Sequence, residues 1–173
     1  MRDKIIHELG SYLRDAVFAA SDGLVTTFAV VAGAYGASLG SSVVVILGFA
    51  NLFADGISMA AGTYMGVKSE SDFEKVEGDN HLSGGSPVKQ ALITFIAFDI
   101  AGFFPLIPYV FDFENKFTYS SILMAMVLFI VGVTRAKFTK KKWVRSGLET
   151  LTIGGLAAIV AYAAGFLIDM VVI

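Results

Sequence analysis

Apolar residues run through this chain in five long blocks divided by short polar breaks. The blocks cover about 16–37, 42–67, 88–111, 119–137 and 148–172. A helix needs about 20 mostly apolar residues to cross a bilayer, and every block is near or above that length. Backbone N–H and C=O groups in lipid must be satisfied within the protein, so the blocks predict helices. The short alternating segments of a membrane β-barrel are absent from the sequence. The breaks have turn chemistry: GASLGSS is a tight small-residue turn, and HLSGGSP is a polar loop whose Pro87 suits the first turn of the next helix. FDFENK and KFTKKKWVRSG supply the other two. The expected fold is an all-α membrane protein of five transmembrane helices, forming one transmembrane domain over residues 1–173.

Charge orients the spans. Successive spans cross in opposite directions, so the N-terminus, the loop 68–87 and the loop 138–147 share a side. That side and the helix ends beside it hold every one of the 13 Lys and Arg residues except Lys116. By the positive-inside rule the N-terminus is expected in the cytoplasm and the C-terminus on the far side. Ahead of the first block, Ile6, Leu9 and Leu13 recur at i, i+3 and i+7. Segment 2–15 therefore reads either as an amphipathic helix lying on the membrane surface or as a cytoplasmic extension of the first span.

Composition narrows the class. The chain has 173 residues, of which 55% are hydrophobic, and a mean hydropathy of +0.71. That is richer in apolar residues than soluble domains, and the length suits one domain. The net charge of −2 argues against nucleic acid. With no cysteine, disulfides and thiolate metal sites are excluded. The polar N-terminus MRDKIIHELGSYLRD lacks the apolar core of a signal peptide. The only histidines, His7 and His81, lie outside the spans, which excludes a histidine-rich metal relay.

Four acids fall inside the apolar blocks or near their ends: Asp22, Asp55, Asp99 and Asp169. A charge at mid-bilayer costs about 2.5–3.5 kcal/mol on insertion scales, so such residues face an interior or a water-filled path, or bond to another helix. Asp169 sits near the C-terminus, where an interfacial position suffices. Asp99, central in IAFDIAGF, fits a structural and a functional role equally. Asp22 lies in AASDGLVTT, beside Gly23 and the hydroxyls of Thr26 and Thr27. Asn51, Asp55 and Met59 are spaced i, i+4, i+8 and stack on one helix face. Oxygen ligands alone suit hard divalent cations, and the added thioether favours softer transition metals. These residues point to a divalent cation path.

Small residues accompany the acids. Gly36–Gly40 and Gly62–Gly66 are GxxxG pairs, and Ala157, Ala161 and Gly165 form a small-residue stripe. Such spacings let helices approach closely within a bundle or across a dimer.

The strings SDGLVTTFAVVAGAYGA, ILGFANLFADGISMAAGTYMGVKSE and RSGLETLTIGGLAAIVAYAAG, in that order, resemble the vacuolar iron transporter family. The resemblance covers nearly the whole chain. It implies a homodimer of five-helix subunits that exports Fe²⁺, often also Mn²⁺, from the cytosol against protons flowing in. Metal is then a transported substrate, and no tightly bound cofactor is expected. Asp22 matches the family's first-helix aspartate on the metal path, and Met59 the methionine of its second helix. Asn51 stands where the family often has glutamate, Asp55 where it has a small residue, and Thr63 replaces the glutamate of a GEY string. A carboxylate has in effect moved one turn along the helix.

Many members of the family it resembles carry a helical cytoplasmic metal-binding domain between spans two and three, for which residues 68–87 leave no room here, so the chain reads as a short member without it. What remains is KSESDFEKVEGDNH. Glu70, Glu74 and Glu77 recur at i, i+4 and i+7, with Asp72, Asp79 and His81 nearby. They read as a solvated acidic linker or, if the second helix continues into the cytosol, as a weak cation-collecting face.

The expected function is a proton-coupled Fe²⁺ or Mn²⁺ exporter. Metal, protons, membrane lipid and a second copy of the chain are its partners. Its membrane would be the plasma membrane in a prokaryote, or a vacuolar or other organellar membrane in a eukaryote. The alternative is a non-transporting membrane protein, a metal sensor or an assembly subunit, whose polar residues only pack helices. An enzyme is not expected, because no span offers a nucleophile with a base and no HExxH string occurs.

Overall fold

The computed structural model describes residues 2–77, 85–140 and 142–172. They form α1 (Arg2–Gly36), α2 (Ser41–Glu77), α3 (Pro87–Phe103), a 3₁₀ turn (Phe104–Leu106), α4 (Ile107–Val110), α5 (Lys116–Thr139) and α6 (Trp143–Val172). No strand occurs among the described residues. Five helical stretches are long and apolar enough to cross a membrane, with α3, the 3₁₀ turn and α4 making the third together. The chain is thus an all-α, multi-pass membrane protein. α1 runs unbroken from Arg2, so segment 2–15 and the first span are one helix. α2 likewise continues past its apolar block to Glu77.

Breaks fall where backbone chemistry demands them. Ser38 takes a left-handed φ of 54°. There the amides of Ala37 and Leu39 bond back to the carbonyls of Gly33 and Ala34 at 3.0 and 2.9 Å, closing α1. α3 begins at Pro87, whose missing N–H would have no partner in a first turn anyway. The helix changes to 3₁₀ at Phe104, next to Pro105, with Pro108 following in α4. Both prolines are buried, and the Ser120 hydroxyl of α5 donates to the Pro105 carbonyl at 2.7 Å. The end of the bundle away from the N-terminus has one basic residue, Lys116. Its ammonium lies 2.7 Å from Asp112 and holds that carboxyl below its ordinary range.

α1 is the central helix. It packs against α3 and α6 most extensively and also meets α5 and α2, while α2 leans on α3 and α5 on α6. Ala19, Leu24, Phe28, Val31 and Ala32 of α1 lie in the core with Phe98, Leu106 and Leu128. Two crossings depend on glycine. At the first, a Cβ on Gly23 would collide with the carbonyl of Phe98, and one on Gly102 would come 2.8 Å from the carbonyl of Gly23. At the second, Gly165 of α6 seats on the backbone of Gly33, and Gly36 on the carbonyl of Tyr162. The small-residue stripe of the last span therefore packs within the chain, against α1. Gly62 and Gly66 have open space where a side chain would stand.

Candidate metal path

Asp22 lies where α1 meets both neighbours. Gly23 beside it carries the contact with α3, and Thr26 one turn on reaches α2. The Thr26 hydroxyl donates to the carbonyl of Asp22 at 2.9 Å, and the Asn51 amide approaches Thr26 Oγ1 at 3.5 Å. Asp55 follows Asn51 one turn on along the same face of α2. Asp22, Asn51 and Asp55 are all half-buried. Two helices thus bring together two carboxylates, an amide and a hydroxyl along one seam. These oxygen donors suit a divalent cation, and repulsion between the two acids would ease when a cation lay between them.

Met59 continues the same face of α2, half-buried and packed against the hydrophobic core. One turn further, Thr63 and Thr94 of α3 pair their hydroxyls at 3.2 Å. Thr63 thus takes part in an uncharged link between α2 and α3.

Asp99 is placed differently. Its carboxylate faces Gly56 of α2, where a Cβ would come 2.6 Å from Oδ2. Both of its oxygens are buried and neither has a hydrogen-bond partner among the described residues. Asp169 is half-buried near the end of α6. No group of three or more His, Cys, Asp or Glu side chains converges among the described residues.

On the extension of α2, Glu70 is exposed and lines a polar hollow of about 270 Å³ with His7, Arg14 and Gln90. Glu74 is half-buried, and Asp72 pairs with Lys75 at 2.9 Å. The side chain of Glu77, together with Asp79 and His81, lies outside the described residues.

One acid escaped the sequence reading. Asp15 is buried in α1, with Arg14 Nε at 3.0 Å from Oδ1 and no partner for Oδ2 among the described residues. A first span drawn from residue 16 left it outside. Its spacing of seven residues from Asp22 was the available signal, since it puts both on one face of a continuous helix.

A sequence model of the VIT family matches residues 13–83 and 76–166. The vacuolar iron transporter of Toxoplasma gondii is 26% identical, over 93% of this chain and 76% of that protein. Vacuolar iron transporter homolog 3 of Arabidopsis thaliana is 31% identical, over 87% of this chain and 80% of its own length. Vacuolar iron transporter 1 of the same plant is 29% identical, over 88% and 84%. The alignment to this last protein spans 211 residues, longer than the 173-residue chain itself, so it must contain an insertion. The alignment to homolog 3 spans only 160. The two pieces of the family match meet at 76–83, in the short connection between the second and third spans. On this match the chain belongs to the VIT family.

Proposed function

We propose that this protein carries Fe²⁺ or Mn²⁺ out of the cytosol in exchange for protons. The observation that carries this reading is the seam at which Asp22 and Thr26 of α1 meet Asn51 and Asp55 of α2, in a chain whose relatives are named vacuolar iron transporters. The N-terminus lies in the cytosol, and metal enters from the basic end of the bundle. It exchanges waters for the carboxylates of Asp22 and Asp55, with Asn51 and the Met59 thioether completing the donor set. On the far side protons reach the same oxygens and displace it, so metal and protons compete for one set of ligands. Two acids are few for a divalent ion. A homodimer would double them, with the path near the two-fold axis and each chain contributing an Asp22 and a Met59. The membrane is vacuolar or organellar in a eukaryote and the plasma membrane in a prokaryote, and the chain performs no covalent chemistry.

Reconstitution into sealed liposomes tests this reading. Fe²⁺, Mn²⁺, Co²⁺, Zn²⁺ and Ca²⁺ are offered with and without an imposed pH gradient. Fe²⁺ or Mn²⁺ flux that follows the gradient is the expected result. Correctly folded protein that moves no metal would leave a non-transporting role.

A further inference from the structure

The connection KFTKKKWVRSG between α5 and α6 is the most basic in the chain, and none of its residues lies on the proposed metal path. α6 opens there at Trp143 with no acid in its first turn. The Ser146 amide bonds back to the Lys142 carbonyl at 3.1 Å. The amides of Trp143, Val144 and Arg145 remain at the positive end of a 30-residue helix. Lys142, Arg145, Ser146 and Glu149 recur at i, i+3, i+4 and i+7, so they share one face, and they line a hollow of about 580 Å³. Ser146 is 1% exposed, and its hydroxyl has no hydrogen-bond partner among the described residues. Lys142 and Arg145 are exposed and make no ion pair among the described residues. Glu149 also lines the hollow, and its charge is matched by Arg135 of α5 at 3.8 Å.

We infer that this hollow binds the phosphate of one anionic membrane phospholipid. The Ser146 hydroxyl and the first-turn amides supply hydrogen bonds, and Lys142 and Arg145 supply charge. A metal cation is disfavoured, because the charges left unmatched on the hollow are both positive. A bare phosphate ion would fill only a small part of the 580 Å³, which leaves room for the glycerol and headgroup of an ester. The neighbouring surface favours a lipid. Trp143, Val144 and Leu148 stand exposed on a second, shallower hollow that shares Lys142, Arg145 and Glu149 with the first. Leu156 and Ile159 are exposed further along the same side of α6, about two and three turns beyond Leu148. An apolar strip therefore leads from the phosphate site toward the middle of the span, and an acyl chain can lie along it. Tryptophan at the level of the phosphate matches the usual place of that side chain at a membrane interface. A zwitterionic lipid would bring its own cation against Lys142 and Arg145, so an anionic headgroup is selected.

The test uses the full chain in detergent micelles, titrated with palmitoyl-oleoyl phosphatidylglycerol, with the matching phosphatidylcholine, or with inorganic phosphate. Thermal unfolding and native mass spectrometry are the readouts, and lipid-free melting temperatures establish that each variant folds. Phosphatidylglycerol is expected to give a saturable rise in melting temperature and one retained lipid per chain. In Lys142→Gln/Arg145→Gln the half-saturating lipid fraction should rise about tenfold or more, since two cations at an anionic headgroup are lost. Ser146→Ala keeps every charge and removes only the hydroxyl, and should raise that fraction about three- to tenfold. Lys137→Gln/Lys140→Gln removes as much charge outside the hollow and should change it less than about twofold. Equal response to both lipids overturns the inference. Stabilisation by inorganic phosphate equal to that by phosphatidylglycerol assigns the hollow to a soluble ion and overturns it too. So does an unchanged response in Ser146→Ala, or equal losses in the two double variants, either of which reduces the attraction to the diffuse field of the basic end.

Discussion

Asp22 and Asp55 lie along a seam with a hydroxyl and an amide between them, whereas Asp99 is closed in beside Gly56 with neither oxygen bonded among the described residues. All three are carboxylates in apolar helices, and the same insertion cost applies to each. Their surroundings differ. The seam offers a hydroxyl, an amide and partial exposure, so a cation can exchange water for these groups. At Asp99 the protein has made room with a glycine and supplied no polar partner. Depth in an apolar span thus does not separate an acid set among polar groups from one shut away from them. What separates them is whether neighbouring helices bring complementary groups to the carboxylate.

The widest separation between the two places should come from removing charge. Asp22→Asn keeps nearly the same volume but removes the carboxylate we propose binds metal. It should cut Fe²⁺ transport in liposomes by about 100-fold or more, beyond the 10–100-fold typical of residues that only support a ligand. Asp55→Asn should cost about tenfold, since Asn51 and Asp22 remain on the seam. Circular dichroism and size exclusion establish that both variants fold. Wild-type flux in folded Asp22→Asn would end the assignment of this seam.

Asp99 should respond in the opposite sense. Asp99→Leu removes an unpartnered buried carboxyl and should raise stability by about 1–3 kcal/mol, with transport within about twofold of wild type. Gly56→Ala should lower stability by about 1–3 kcal/mol, because its Cβ would meet the Asp99 carboxylate. Combined with Asp99→Ala, most of that loss should vanish, a coupling that a double-mutant cycle in thermal unfolding measures directly. Transport abolished by Asp99→Leu in a stable protein would move Asp99 onto the path and erase the contrast.

The seam and the enclosed acid were not equally legible in the sequence. Five spans could be read from block length alone, because a bilayer sets a length that tertiary packing cannot override. The stacking of Asn51, Asp55 and Met59 followed from helical spacing. That Asn51 would reach Thr26 did not, because local pattern carries no information on which helix lies opposite. For the same reason Asp99 stayed undecided: its fate rests on Gly56, 43 positions earlier and on another helix. Asp15 was missed through a boundary, since α1 begins 14 residues before its apolar block and takes a charged residue into the packed region. Helix ends are governed by capping and packing, which hydropathy does not see.

Met59 tests how far the seam extends. It stacks one turn beyond Asp55 yet packs against the core. Met59→Leu preserves size and apolarity and removes only the sulfur. If the thioether touches metal, Fe²⁺ transport should fall about three- to fivefold while Mn²⁺ transport changes little, because the harder ion gains less from sulfur. Equal small losses for both metals would make Met59 a packing residue and end the seam at Asp55.

The smallest effect should come from the acids on the extension of α2. The helix does run on to Glu77, so Glu70, Glu74 and Glu77 share a continuous element. Glu70 is exposed, and the neighbouring Asp72 already has its charge matched by Lys75. Solvated carboxylates of this kind attract cations over about a Debye length, roughly 8 Å at physiological salt, and hold them weakly. Replacing all three glutamates by glutamine should therefore raise the apparent KM for Fe²⁺ by about twofold at low salt. In 0.5 M salt the difference should disappear, because screening removes the only advantage these residues give. The maximal rate should stay unchanged, since the seam at Asp22 and Asp55 is untouched. A loss of maximal rate that persists at high salt would mean that this short acidic stretch binds metal directly, and that the path begins there.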